Sequence, residues 1–125
     1  MWLYAYAYKD ISDMSAPNLA TEITQLHADL CSALGDASRI LILYALAQQP
    51  RTVNDIAAEA GLSQPATSRH LKVLRERGLV RATRQGMSVK YALEDPHIIQ
   101  ALDLLRGVLR DSVARRAGLL EVSAI

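Results

Sequence analysis

Apolar residues recur at spacings of three and four along most of this chain, and at spacing two in two short stretches. Leu19, Ile23, Leu26, Leu30 and Leu34 predict an amphipathic helix over 18–34, stopped by Gly35. Asp36 is a good N-cap for a second helix carrying Ile40, Leu41, Leu43, Tyr44 and Leu46, closed by Pro50. Thr52 and Asp55 resemble a capping box, with Asp in place of the usual Glu, and open a third helix that Gly61 ends. Ser63 caps a fourth, with Pro65 in its first turn and Gly78 at its end. The segments 79–85 and 88–93 carry Leu79, Val80, Val89, Tyr91 and Leu93, and Gln85-Gly86-Met87 joins them as a hairpin. Asp95 and Pro96 begin a fifth helix. Its stripe of Ile98, Leu102, Leu105, Leu109 and Val113 is widened by Ile99, Ala101, Leu104 and Val108. That is more apolar surface than a lone exposed helix carries, and a buried subunit interface would explain it.

Three regions follow: an aromatic arm or tail at 1–16, a folded domain at 17–118 and a C-terminal tail at 119–125. In the first, Trp2, Tyr4, Tyr6 and Tyr8 alternate with Leu3, Ala5 and Ala7, so an extended segment would place the aromatics on one face. An arm packed on a dimer is the favoured reading. A strand, part of a ligand pocket and a frayed terminus remain alternatives.

Charge sharpens the centre of the chain. The net charge is only +1, yet residues 63–90 hold seven bases and one acid. A basic block in a near-neutral chain marks a surface for a polyanion. The single cysteine, Cys31, excludes a disulfide within the chain and fits a reducing cytoplasm. No run has the length of a membrane span, and no signal peptide is evident. No phosphate loop, nucleophile elbow or triad stands out, so no catalytic residue is expected.

The fourth helix carries the chemistry. Thr67, Leu71 and Leu74 share a face that should pack inward, while Pro65, Ser68, Arg69 and Lys72 lie roughly opposite. An α-helix fits the major groove, and its first turns meet base edges. Gln64 can pair with adenine and Arg69 with guanine. Ser63, Thr67 and Ser68 are short enough for close approach, and His70 either touches a phosphate or packs. The hairpin would be a wing, with Arg84, Gln85 and Ser88 at its tip and Arg81 and Lys90 along its strands, gripping phosphate or entering the minor groove. The fold class is mainly α with a β-hairpin (α+β), a winged helix-turn-helix.

Three stretches resemble the ArsR/SmtB family of winged-helix repressors. They are Leu34-Gly35-Asp36-Ala37-Ser38-Arg39-Ile40-Leu41-Ile42-Leu43, the helix Leu62 to Glu76, and the hairpin pieces Gly78-Leu79-Val80 and Val89-Lys90-Tyr91-Ala92-Leu93. The resemblance covers about residues 19–113. It implies four helices, a hairpin and a last helix in that order. It also implies a cytoplasmic homodimer held by the first and last helices, through Leu19, Ile23, Leu26, Leu30, Ile98, Leu102, Leu105, Leu109 and Val113. Function would be repression on an inverted-repeat operator in double-stranded DNA, relieved by an inducer.

The family's usual metal sites are incomplete here. A Cys-x-Cys before the third-helix Asp is replaced by Thr52-Val53-Asn54, and neither oxygen side chain replaces a soft thiolate well. On the fifth helix, Asp95-Pro96-His97 matches half of a second site, whose other half falls at Val108 and Asp111. His27 and Cys31 lie four apart on one helix face, a spacing that suits two ligands or two packed residues. No cofactor is expected. The alternatives are zinc or another divalent metal at a degenerate fifth-helix site, a redox or sulfur response through Cys31, and a protein-interaction module on the same fold.

Overall fold

A computed structural model describes residues 17–124, the side chains of Pro17, Leu26 and 120–124 excepted. The aromatic segment 1–16 lies outside the described residues. Those residues fall into two compact units, one ending at Asp95 and one beginning at Pro96.

The first helix, α1, occupies 17–33 in three continuous stretches: α-helical Pro17–Glu22, a π turn Ile23–His27, and α-helical Ala28–Ala33. The π turn was not foreseen. It inserts an additional residue into the helical repeat, so residues five apart come to lie one above the other. The regular stripe drawn from Leu19 to Leu34 is therefore broken. Ile23 is about half exposed, while its neighbour Glu22 is 2% exposed.

Helix α2, Ala37–Gln48, begins where Asp36 Oδ1 accepts the backbone N–H of Ser38 at 2.8 Å and of Arg39 at 3.3 Å. Arg39 reaches back the other way. Its Nε donates to the Ala33 carbonyl at 2.6 Å and its Nη2 to the Ser32 carbonyl at 3.2 Å, closing the C-terminal end of α1. Asp and Arg three residues apart thus cap the start of one helix and the end of the previous one.

Helix α3, Val53–Ala60, starts at Thr52, whose Oγ1 accepts the Asp55 N–H at 3.3 Å. It ends at Gly61, whose φ of 71° lies in the left-handed region that a side chain would strain. Helix α4, Gln64–Glu76, starts at Ser63, whose Oγ accepts the Ala66 N–H at 3.2 Å. Three caps expected from sequence (Asp36, Thr52 and Ser63) therefore form.

The core sits between α2, α3, α4 and the base of the hairpin. Ile42, Leu43, Ile56, Leu71 and Leu74 are fully buried, and Ala45, Leu46, Ala57, Leu79 and Val80 complete it. Truncating one such leucine costs about 2–5 kcal/mol, through lost transfer energy and the cavity left behind.

Strands β1, Val80–Gln85, and β2, Ser88–Leu93, pair antiparallel with Val80 opposite Leu93 and Gln85 opposite Ser88. The two-residue loop Gly86-Met87 connects them. Gly86 has φ 63° and Met87 does not have positive φ, the pattern of a type II′ turn with glycine first. A bridge outside the hairpin was not foreseen: Arg51 pairs with Tyr91 and fastens β2 to the segment before α3.

The second unit is a single helix, α5, His97–Ala124. It starts one residue after Pro96 and runs on through most of the stretch expected as a tail at 119–125. Gly118 does not stop it, because helix formers such as Leu119, Leu120 and Glu121 follow. Along α5, Leu102 is 4% exposed, while Leu105, Leu109 and Val113 are each more than half exposed.

Candidate nucleic-acid interface

Helix α4 divides sharply. Thr67, Leu71 and Leu74 are buried, while Ser63, Gln64, Pro65, Ser68, Arg69 and Lys72 are exposed. Thr67 corrects the sequence expectation. It is 0% exposed, and its Oγ1 donates to the Ser63 carbonyl at 2.8 Å, so it holds the first turn together and cannot touch a base. His70 is half-buried beside the exposed face.

Among the described residues, no ion pair or hydrogen bond holds the side chain of Arg69, Lys72, Arg84 or Lys90. These cations stand ready for an external anion. Arg77 differs, since its Nη1 lies 3.5 Å from Asp29 Oδ2 on α1. Arg81 is also partly engaged. Its Nη1 donates to the Leu93 carbonyl at 3.1 Å and lies 4.0 Å from Glu94 Oε1.

The hairpin register sorts the wing residues. Residues opposite one another share a face. One face carries Arg81, Thr83, Gln85, Ser88, Lys90 and Ala92; the other carries Val80, Ala82, Arg84, Val89, Tyr91 and Leu93. The second face holds buried Val80 and half-buried Ala82, Tyr91 and Leu93, so it is the side toward the core. Arg84 thus leaves the side opposite Gln85 and Ser88, rather than forming one cluster with them. Met87, 98% exposed at the tip, was not singled out from sequence. Its exposure follows from its place in a two-residue turn.

Between the wing tip and the starts of α3 and α4 lies an open cleft of about 380 Å³, lined by Thr52, Val53, Asn54, Gln64, Met87, Ser88 and Val89. Thr52 Oγ1 in this cleft already serves as a helix cap. Thr52 and Asn54 therefore offer no thiolate and little free donor capacity for a soft metal. The fifth-helix candidates fit no better as a complete set, because Val108 supplies no donor atom. Asp111 is exposed, and Asp95 and His97 already have interaction partners. Among the described residues, no three of His, Cys, Asp or Glu converge as metal ligands. Cys31 is an exposed thiol.

Residues 36–82 match the model of the bacterial regulatory proteins of the arsR family. The chain is 42% identical over 89 residues to the HTH-type transcriptional regulator NmtR of Mycobacterium tuberculosis, covering 71% of this chain and 73% of that one. It is 38% identical to a transcriptional repressor SmtB homolog of Synechocystis, over 65% of this chain and 61% of the other. In structure it resembles the homodimeric winged helix-turn-helix DNA-binding domain of Mb0332 from Mycobacterium bovis, with a TM-score of 0.68 and 26% identity. That likeness covers 80% of this chain and 93% of the other. With a capped recognition helix, a basic hairpin and relatives of this kind, the chain belongs to the ArsR/SmtB family of winged-helix transcriptional repressors.

Proposed function

We propose that two copies of the chain bind an inverted-repeat operator, each laying the exposed face of α4 in a major groove. An inducer then releases the DNA. The observation that carries this reading is the outward row of Ser63, Gln64, Ser68, Arg69 and Lys72, whose cations have no intramolecular ion pair among the described residues. A twofold dimer would set its two recognition helices about 34 Å apart, one helical turn of DNA. Gln64 and Arg69 read base edges, Ser63 and Ser68 allow close approach, and the wing holds phosphates flanking the half-site. Such a protein works in the cytoplasm, beside the DNA it regulates.

Helix α5 supports the dimer. Leu104, Leu105, Val108, Leu109, Val113 and Leu119 each leave more than half of their surface exposed. A second copy covering this stripe would remove it from water. The Mb0332 domain, itself homodimeric, offers a precedent for a dimer of this fold.

The test is selection of bound fragments from genomic DNA, followed by affinity measurements at fixed salt. Gln64→Ala and Arg69→Ala should each relax specificity by about 1–3 kcal/mol at one position per half-site. Unchanged operator affinity in both variants would remove α4 from the major groove.

A further inference from the structure

The open cleft of about 380 Å³ between the wing tip and the starts of α3 and α4 has walls of two kinds. Asn54, Gln64 and Ser88 bring polar side chains to it, Val53, Met87 and Val89 bring apolar ones, and no acidic residue lines it. Among the described residues, no hydrogen bond engages the side chains of Asn54, Gln64 or Ser88. Met87 is 98% exposed, so its thioether contributes nothing to the core. The Arg51–Tyr91 bridge ties two of the walls together, because Thr52 follows Arg51 directly and Val89 lies two residues before Tyr91 on β2. Arg84 stands opposite Val89 in the hairpin and has no ion pair among the described residues, so a cation lies beside that wall.

The cleft is continuous with the exposed face of α4 through Gln64 and with the wing through Met87 and Ser88. In a duplex, one sugar–phosphate strand separates the major groove from the adjacent minor groove. A protein with a helix in the first and a wing tip at the second straddles that strand. Such a strand alternates phosphate oxygens, which accept hydrogen bonds, with deoxyribose, which offers apolar C–H surface. We infer that the cleft seats this strand, with Asn54 and Ser88 donating to a phosphate and Met87 and Val89 packed on the neighbouring deoxyribose. This seat depends on the DNA-binding reading above, and it adds Asn54, Met87 and Val89 to the contact surface. It also gives a use to positions 52–54, where the thiolates of the family pattern are missing. Contacts of this kind fix the register of the protein on DNA and carry no base preference. Asn54 and Ser88 are uncharged, so they leave the salt dependence to the cations.

The test uses the full-length chain and an operator recovered by genomic selection, synthesised with one uncharged methylphosphonate linkage at successive positions. One position in each half-site should weaken parental binding about tenfold, the worth of a hydrogen bond to a charged group. That penalty should largely vanish in Asn54→Ala. Asn54→Asp puts a carboxylate in the first turn of α3, which favours the helix, so Tm should not fall. Its affinity should nonetheless drop by more than about tenfold on every sequence, with an unchanged salt slope. Met87→Ala should lose about fivefold, again with base preference unchanged. Parental affinity in Asn54→Asp or in Met87→Ala, or a phosphate penalty as large in Asn54→Ala as in the parent, would each overturn the seat. If Asn54→Asp fails to fold, Met87→Ala decides, since that side chain is at the surface. A parent that binds no operator overturns the repressor reading and the seat together. A parent that reads its operator through Gln64 and Arg69, beside an unimpaired Asn54→Asp, overturns the seat alone.

Discussion

The main chains of Arg51 and Tyr91 exchange hydrogen bonds: the Arg51 N–H donates to the Tyr91 carbonyl at 3.0 Å, and the Tyr91 N–H to the Arg51 carbonyl at 2.8 Å. The wing is therefore held on both sides of β2, by β1 and by the residue that precedes the helix-turn-helix. Arg51 is further fixed by its own side chain, with Nε donating to the Ala45 carbonyl at 2.9 Å and Nη2 to Gln48 Oε1 at 2.6 Å. The wing and the C-terminal end of α2 share one anchor.

Arg51→Pro separates these contributions from those of Arg51→Ala. Proline removes the main-chain donor and leaves the Tyr91 carbonyl without it, at a cost of about 1–3 kcal/mol. Alanine keeps the main-chain pair and loses only the side-chain bonds. Hydrogen exchange should show a faster Tyr91 amide in the proline variant alone. Equal protection at Tyr91 in both would mean that the bridge does not hold the wing.

Thr67→Val tests whether this residue supports the helix or reads DNA. The substitution keeps volume and loses the 2.8 Å bond to the Ser63 carbonyl, an expected loss of about 0.5–1.5 kcal/mol in denaturant unfolding. Operator preference should be unchanged. A shifted base preference would contradict its burial.

Asp36 gives the stability its acid dependence at the α1–α2 corner. Burial is the largest influence on its carboxyl and works upward. The N–H groups of Arg39 and Ser38 and the charges of His70 and Arg39 outweigh it, so its pKa lies below 3.8. A carboxylate with a depressed pKa contributes stability above the ordinary aspartate range, and that contribution is lost as pH falls through the folded value. Asp36→Ala should therefore lower Tm near neutrality and narrow its gap to the parent in acid. A gap that widened in acid would reverse the sign of this argument.

Arg84 and Lys90 leave opposite faces of the hairpin, and both lack ion-pair partners among the described residues. If each meets a phosphate, Arg84→Ala and Lys90→Ala should each weaken binding to all sequences and reduce the salt slope by about 1. A loss confined to one of them would identify the face of the wing that meets DNA.

Much of this fold was legible because its signals are local. Asp36, Thr52 and Ser63 each cap a helix through contacts two or three residues away, and Gly86 fixes the hairpin turn through its own backbone. The candidate interface was legible where helical period alone sets exposure, as at Gln64, Arg69 and Lys72. It failed where two rules compete, as at Thr67, a short polar residue on the apolar face. Arg84 lies beside Gln85 and Ser88 in sequence, yet period two places it on the other side. The Arg51–Tyr91 bridge joins segments distant in sequence, and no local pattern announces it.

The π turn in α1 also bears on how such a helix can change over generations. It amounts to one residue of slack threaded into an otherwise regular rod. Deleting a single residue from 23–27 would let the helix close up, rotating everything before it by about 100° relative to everything after. Glu22 would then leave His27, and Leu19 would present a different side to whatever covers α1. One in-frame deletion would thus alter what this helix packs against, while leaving the DNA-reading elements as they are.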